Sequence, residues 1–144
     1  MPQVEPLDMG SLDQLVGYQL RRAFLRSNQA FARLAGRVGL APGQYGVLCL
    51  VLRNPGRSQA AIAAAAGLDR SSLAQMLDQL AGKGWVERRP GPDRRTFGLH
   101  ITPAGADAVT AAEALIKEHE KFVCSELNAG ERAMLLDLLQ RLGC

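Results

Sequence analysis

The chain has 144 residues, 47% of them apolar but only 5% aromatic, with a formal net charge of +3. That length suits one domain, or a small domain with an appendage, and its wealth of Ala and Leu favours helices over a β-rich fold. No apolar run approaches the ~18–20 residues of a membrane span, Tyr45 to Leu52 being among the longest, and no partnership with a membrane is expected. Cys49, Cys124 and Cys144 are widely spaced and odd in number, which argues against a disulfide framework or a zinc ribbon.

Met1 to Gly10 carries Glu5 and Asp8 and shows no basic-then-apolar leader, so a cytoplasmic location is expected. Ser11 with Gln14 has capping-box spacing. From there Leu12, Leu15, Val16, Leu20, Ala23, Phe24, Phe31, Leu34 and Val38 follow a helical period to about Arg37, with Gly39 as the stop. A helix this long exceeds what a small domain covers, so part of its face is expected to meet another chain. Pro42 suits the first turn of a second helix, which Asn54-Pro55-Gly56 breaks.

Ser58 can cap a short third helix, Gln59 to Ala66, ended by Gly67, and Asp69 can cap a fourth, Arg70 to about Ala81. Two short helices separated by Gly67-Leu68-Asp69 make a helix-turn-helix, held by Ala61, Ile62, Ala65, Leu68, Leu73, Leu77 and Leu80. Trp85 and Val86 begin a strand, four arginines (Arg88, Arg89, Arg94, Arg95) crowd a Pro/Gly turn, and Phe97 to Ile101 return. Thr102-Pro103 pairs a cap with a proline and opens a helix to about Leu127. Asn128, followed three residues later by Glu131, caps the last, with Met134, Leu135, Leu138, Leu139 and Leu142 along it.

Charge is unevenly spread. From Arg53 to Arg95 eight Lys/Arg stand against four Asp/Glu, whereas from Thr96 to Cys144 four stand against seven. A basic hairpin beside a helix that starts Asp69-Arg70-Ser71-Ser72-x-x-Gln75 is chemistry aimed at phosphates and base edges. Together they specify a mainly α fold with a small β-wing: a winged helix-turn-helix reading duplex DNA.

The string Asp93-Arg94-Arg95-x-x-x-x-x-Ile101-Thr102-Pro103-x-Gly105 resembles the multiple antibiotic resistance regulator (MarR) family. The likeness extends to Leu40-x-Pro42-x-Gln44-Tyr45-x-Val47-Leu48 and to Leu127-Asn128-x-x-Glu131-Arg132-x-x-Leu135-x-x-Leu138-Leu139. It implies a single MarR-like chain over 1–144, with dimerisation helices at 11–38 and 103–142 flanking a winged helix-turn-helix at 42–101. It further implies a homodimer that represses transcription at a pseudo-palindromic operator until a small molecule releases it. The wing is about one residue shorter than the usual P-x-P-x-D-x-R form, because Asp93 follows Pro92 directly. Ala41 replaces the usual hydroxyl cap, and Val16, Gly17 and Tyr18 stand where the peroxide-sensing branch carries a cysteine.

The candidate DNA contacts follow from position. Arg70, Ser71, Ser72 and Gln75 occupy the first turns of the fourth helix, where a recognition helix meets base edges. Arg can fork onto guanine and Gln can pair with adenine, against the plainer reading of a solvated helix start. Ser58 and Gln59 could hold a phosphate through free backbone N–H groups, or simply cap. Arg94 or Arg95 would enter a minor groove. Asp93 is placed to hold an arginine rather than to touch DNA, and the D-x-R match pairs it with Arg95. Arg57, Arg88 and Arg89 are phosphate candidates. Trp85 is expected to plug the core.

In the family the first two helices wall a ligand cleft, which makes Tyr18, Arg22, Tyr45 and Cys49 candidates for an aromatic carboxylate or thioester effector. For each singly, packing or a surface salt bridge is the plainer reading. No metal and no cofactor are expected: on a helix Glu118 and Glu120 face away from His119, only Glu120 and Cys124 share a side, and a solvated charged face is the reading there. Cys144 is expected to be exposed and oxidisable. A thiol-based redox regulator on the same fold is the alternative. A small enzyme is the weaker rival, because His100 and His119 pair with no evident nucleophile.

Overall fold

The computed structural model describes residues 6–93 and 95–143; Arg94 and Cys144 lie outside the described residues. Its elements run α1 (Val16–Ala35), α2 (Gln44–Arg53), α3 (Gln59–Ala66), α4 (Arg70–Gly82), β1 (Val86–Pro90), β2 (Phe97–Ile101), α5 (Pro103–Val123) and α6 (Ala129–Leu142), with a short 3-10 turn at Gly10–Gln14 ahead of α1. The order is that of a winged helix-turn-helix with helical flanks.

The caps explain most of these boundaries. Ser58 accepts from Ala61 N at 3.2 Å, and Gly67 closes α3 at φ 66°, which favours glycine. Thr102 Oγ1 accepts from Gly105 N at 3.0 Å while donating to the Gly84 carbonyl at 2.6 Å. At α6 the reciprocal box is complete: Glu131 N donates to Asn128 Oδ1 at 3.0 Å and Asn128 N to Glu131 Oε2 at 2.8 Å.

Three expected boundaries change. The Ser11 cap does not form. Asp8 Oδ1 instead accepts from Gly10 N at 2.9 Å, the chain makes its 3-10 turn, and Leu15 is extended (φ −90°, ψ 115°), so α1 begins at Val16. Pro42 precedes its helix rather than opening it. Gly43 takes φ 85° and Gln44 Oε1 reaches back to Ala41 N at 2.9 Å, so a side chain inside the helix replaces the missing hydroxyl cap. Finally, α5 stops at Val123: Cys124 N still bonds Glu120 O, but Ser125 N turns to Phe122 O and Leu127 N to Cys124 O, and these tighter bonds turn the chain toward Asn128.

The core lies inside the module between α2 and β2. Val47, Leu48 and Val51 of α2 meet Ile62 and Ala63 of α3, Leu73, Leu77 and Leu80 of α4, Val86 and Leu99 of the wing, and Val109 and Ala112 of α5. Ala65, expected among the helix-turn-helix contacts, faces solvent. Trp85 is half-buried against this core, as expected of a plug.

The two strands pair antiparallel, Val86 opposite Ile101 and Pro90 opposite Phe97. Arg57 adds a bridge to Leu99 on the outer side of β2, so a Cβ on Gly98 would sit 2.6 Å from the Gly56 carbonyl oxygen. Gly105 meets a tighter constraint: a Cβ there would lie 2.1 Å from the Trp85 carbonyl oxygen. Only glycine lets α5 dock on the start of the wing.

Outside the module the packing thins. Phe31 is the one buried apolar side chain of α1 among the described residues, and α6 buries none. Leu15, Val16, Leu20 and Phe24 near the start of the chain, and Met134, Leu135, Leu138, Leu139 and Leu142 on α6, are all exposed. An isolated 14-residue helix is marginal in water.

Candidate nucleic-acid interface

Along α4 the buried residues Leu73, Leu77 and Leu80 define the inner face, which leaves Arg70, Ser71, Ser72, Gln75 and Asp78 exposed on the other. The N-terminus of α4 is tightly built. Asp69 accepts from Ser72 N (2.8 Å), Ser72 Oγ (2.6 Å) and Ser71 Oγ (2.7 Å). The Ser72 hydroxyl first, then its backbone N–H and the Ser71 hydroxyl, hold the Asp69 carboxyl well below the usual carboxylate range. Both serine hydroxyls thus donate inward to the cap and can offer only acceptor lone pairs outward. Arg70 and Gln75 carry the free donor capacity of this face.

The wing stands beside that face. Arg88 Nη2 lies 3.5 Å from Asp78 Oδ1, tying the strand to the exposed side of α4, and Arg89 pairs with Glu87 on its own strand. At the tip, Asp93 Oδ1 accepts from the backbone N–H of Arg95 at 3.2 Å, and Thr96 donates through both N and Oγ1 to the Asp93 carbonyl at 3.0 Å. The carboxylate therefore holds the backbone of the tip and leaves the Arg95 side chain exposed. Ser58 is exposed and Gln59 half-buried at the start of α3.

The four candidate effector residues fall into two pairs rather than one group. On α1, the Arg22 guanidinium lies 5.9 Å from the Tyr18 ring centroid and 4.0 Å from Asp13. On α2, burial, and next the Cys49 side chain, push the Tyr45 hydroxyl up to about 12. A cleft of about 340 Å³ opens between α1, α2 and α5, with Tyr45 in its wall together with Ser27, Asn28 and Phe31 of α1 and His119 of α5. Tyr18, Arg22 and Cys49 are not among its lining residues.

His119 is a correction. Expected on a solvated charged face, it is buried, with its ring edge-on to Phe31 at 5.5 Å and Nε2 on Ser27 of α1. A signal was available: His119 continues the inward stripe Gly105, Val109, Ala112 and Ile116 at helical spacing.

Fold and surface together define a winged helix-turn-helix protein of the kind that regulates transcription. The MarR family's sequence profile matches residues 38–96. A Thauera aromatica protein named for transcriptional regulation of the hcr operon is 38% identical over 135 residues, 92% of this chain and 81% of that protein. The chain belongs to the MarR family. Among solved structures, the transcriptional repressor CouR bound to a 23-mer DNA duplex superposes with a TM-score of 0.89 at 37% identity, covering 97% of this chain and 100% of that one. CouR bound to p-coumaroyl-CoA gives 0.86 at 36% identity, covering 95% and 97%. Among the described residues, no helix is long and apolar enough to cross a membrane.

Proposed function

We propose that this chain is a homodimeric transcriptional repressor that grips a pseudo-palindromic operator and is released by a small aromatic effector, a carboxylate or thioester. The observation that carries the reading is the likeness, over 97% of the chain, to a repressor captured on duplex DNA. The exposed face of α4 and the arginines of the adjoining wing supply matching chemistry.

Arg70 and Gln75 read base edges in the major groove, and Arg95 at the tip of the wing enters the minor groove, with Arg94 beside it in sequence. Arg88, Ser58 and Gln59 meet phosphates, and Asp93 sets the backbone that carries Arg95. Two such modules must stand about one helical turn, roughly 34–36 Å, apart to enter successive major grooves. The apolar faces of α1 and α6 join the two subunits and so set that spacing. An effector in the cleft between α1, α2 and α5 can shift the protein away from it only through its differential affinity for the two spacings.

The test is a fluorescence-anisotropy titration against palindromic DNA from the flanks of the reading frame. Affinity should fall steeply with salt. Arg95→Ala should weaken binding about tenfold or more, whereas Gln75→Ala should blur discrimination among operator sequences. Wild-type affinity in Arg95→Ala would remove the wing from the reading.

A further inference from the structure

The cleft between α1, α2 and α5 carries more information than its position. His119 Nε2 lies 3.0 Å from the backbone carbonyl oxygen of Ser27 and 3.2 Å from its hydroxyl. A carbonyl oxygen can only accept, so Nε2 carries the proton, and in the neutral ring Nδ1 is left with a free lone pair. No hydrogen bond to Nδ1 is formed among the described residues. No buried side-chain nitrogen or oxygen among them lacks a partner. Nδ1 is therefore not sealed from solvent, and the ring that carries it lines the cleft.

The rest of the wall restricts what can meet that lone pair. Phe31, Pro42 and Ile116 give it apolar sides, suited to an aromatic ring. Among the described residues no Lys or Arg lines the cleft, and the one charged lining residue is Glu120, whose Oε2 is paired with Arg132 at 3.2 Å. A carboxylate entering here would find no cation in the wall and a like charge beside it.

We infer that His119 is the specificity-determining residue of this cleft, accepting a hydrogen bond at Nδ1 from the hydroxyl of an uncharged phenolic head group. The inference rests on the effector reading above and narrows it: an ester or thioester of a hydroxylated aromatic acid enters, and the free acid is disfavoured. Ser27 is the positioning residue, because its carbonyl selects the tautomer that leaves Nδ1 free.

The experiment is calorimetric titration of the full chain at a pH of about 8. The probes are methyl para-hydroxybenzoate, methyl para-methoxybenzoate and para-hydroxybenzoate. The phenolic ester should bind about tenfold more tightly than its methyl ether, since the ether leaves the acceptor unpaired, and about tenfold more tightly than the free acid. In His119→Phe the phenol–ether gap should shrink to less than about twofold, and His119→Gln, whose carboxamide oxygen can accept, should restore part of it. Glu120→Gln should narrow the ester–acid gap.

Equal binding of phenol and ether to wild type, no binding of any probe, or a gap that persists in His119→Phe would each overturn the proposal. The three-probe comparison on wild type decides even where a variant does not fold. Operator binding by the same protein separates the two readings. DNA bound without phenol preference removes the His119 assignment alone, whereas loss of DNA binding removes the repressor reading and leaves the calorimetric comparison to judge His119.

Discussion

The module between α2 and β2 and the helices that flank it solve the burial problem in opposite ways. In the module, Leu48, Leu73, Leu77, Leu80 and Leu99 are each at most 2% exposed and pack on one another. On α6, Leu135, Leu138 and Leu139 are 38–42% exposed and Met134 and Leu142 more than 60%. Both regions are rich in leucine, so composition does not separate them. What differs is whether the chain supplies its own second layer, as a layered fold requires. The module does; α1 and α6 present apolar stripes that only another surface can cover.

The sharpest way to break this contrast is to charge the flank. Leu135→Glu with Leu139→Glu should abolish self-association and with it operator binding, read as a fall to monomer mass in sedimentation and as loss of the DNA complex. Retention of a dimer in that variant would mean that α6 is not the interface. Next in size is the core. Leu80→Ala should cost about 2–5 kcal/mol, seen as a lower denaturation midpoint, whereas single Leu→Ala changes on α6 should act through association and so depend on protein concentration.

The smallest effect sharpens the seam between the two regions, at Tyr45. Burial and Cys49 raise its hydroxyl from 10.0 to about 12, so the folded state holds this proton more tightly than the unfolded chain. The resulting stability is fully present below pH 10 and lost as pH rises through the window to about 12. Tyr45→Phe should flatten that alkaline limb in thermal melts. An unchanged limb would place the hydroxyl outside the seam.

Much of the architecture was legible because it is local. Ser58, Asp69, Thr102 and Asn128 each accept from a backbone N–H three residues on, a spacing visible in any sequence. The wing was legible for a similar reason, since Pro and Gly between arginine-rich and β-branched runs leave few alternatives to a hairpin. The failures came where two local options compete. Ser11 lost to Asp8, and Pro42 gave way to a turn capped by Gln44, which is 2% exposed with its Nε2 3.0 Å from Gln79 Oε1 on α4. That long-range partner, thirty-five residues away, has no local signature.

The amino-acid order alone determined most of the helix ends, the hairpin, the family and the exposed basic face, because hydrogen bonds a few residues apart and hydrophobic periodicity are properties of short stretches. Tertiary structure alone decided that His119 turns inward onto Ser27, that Tyr45 shares a cleft with it while Tyr18 and Arg22 do not, and that Gly105 must lack a side chain beneath Trp85. Those outcomes depend on how α1, α2 and α5 cross, and crossing geometry is set by packing between segments up to ninety-two residues apart.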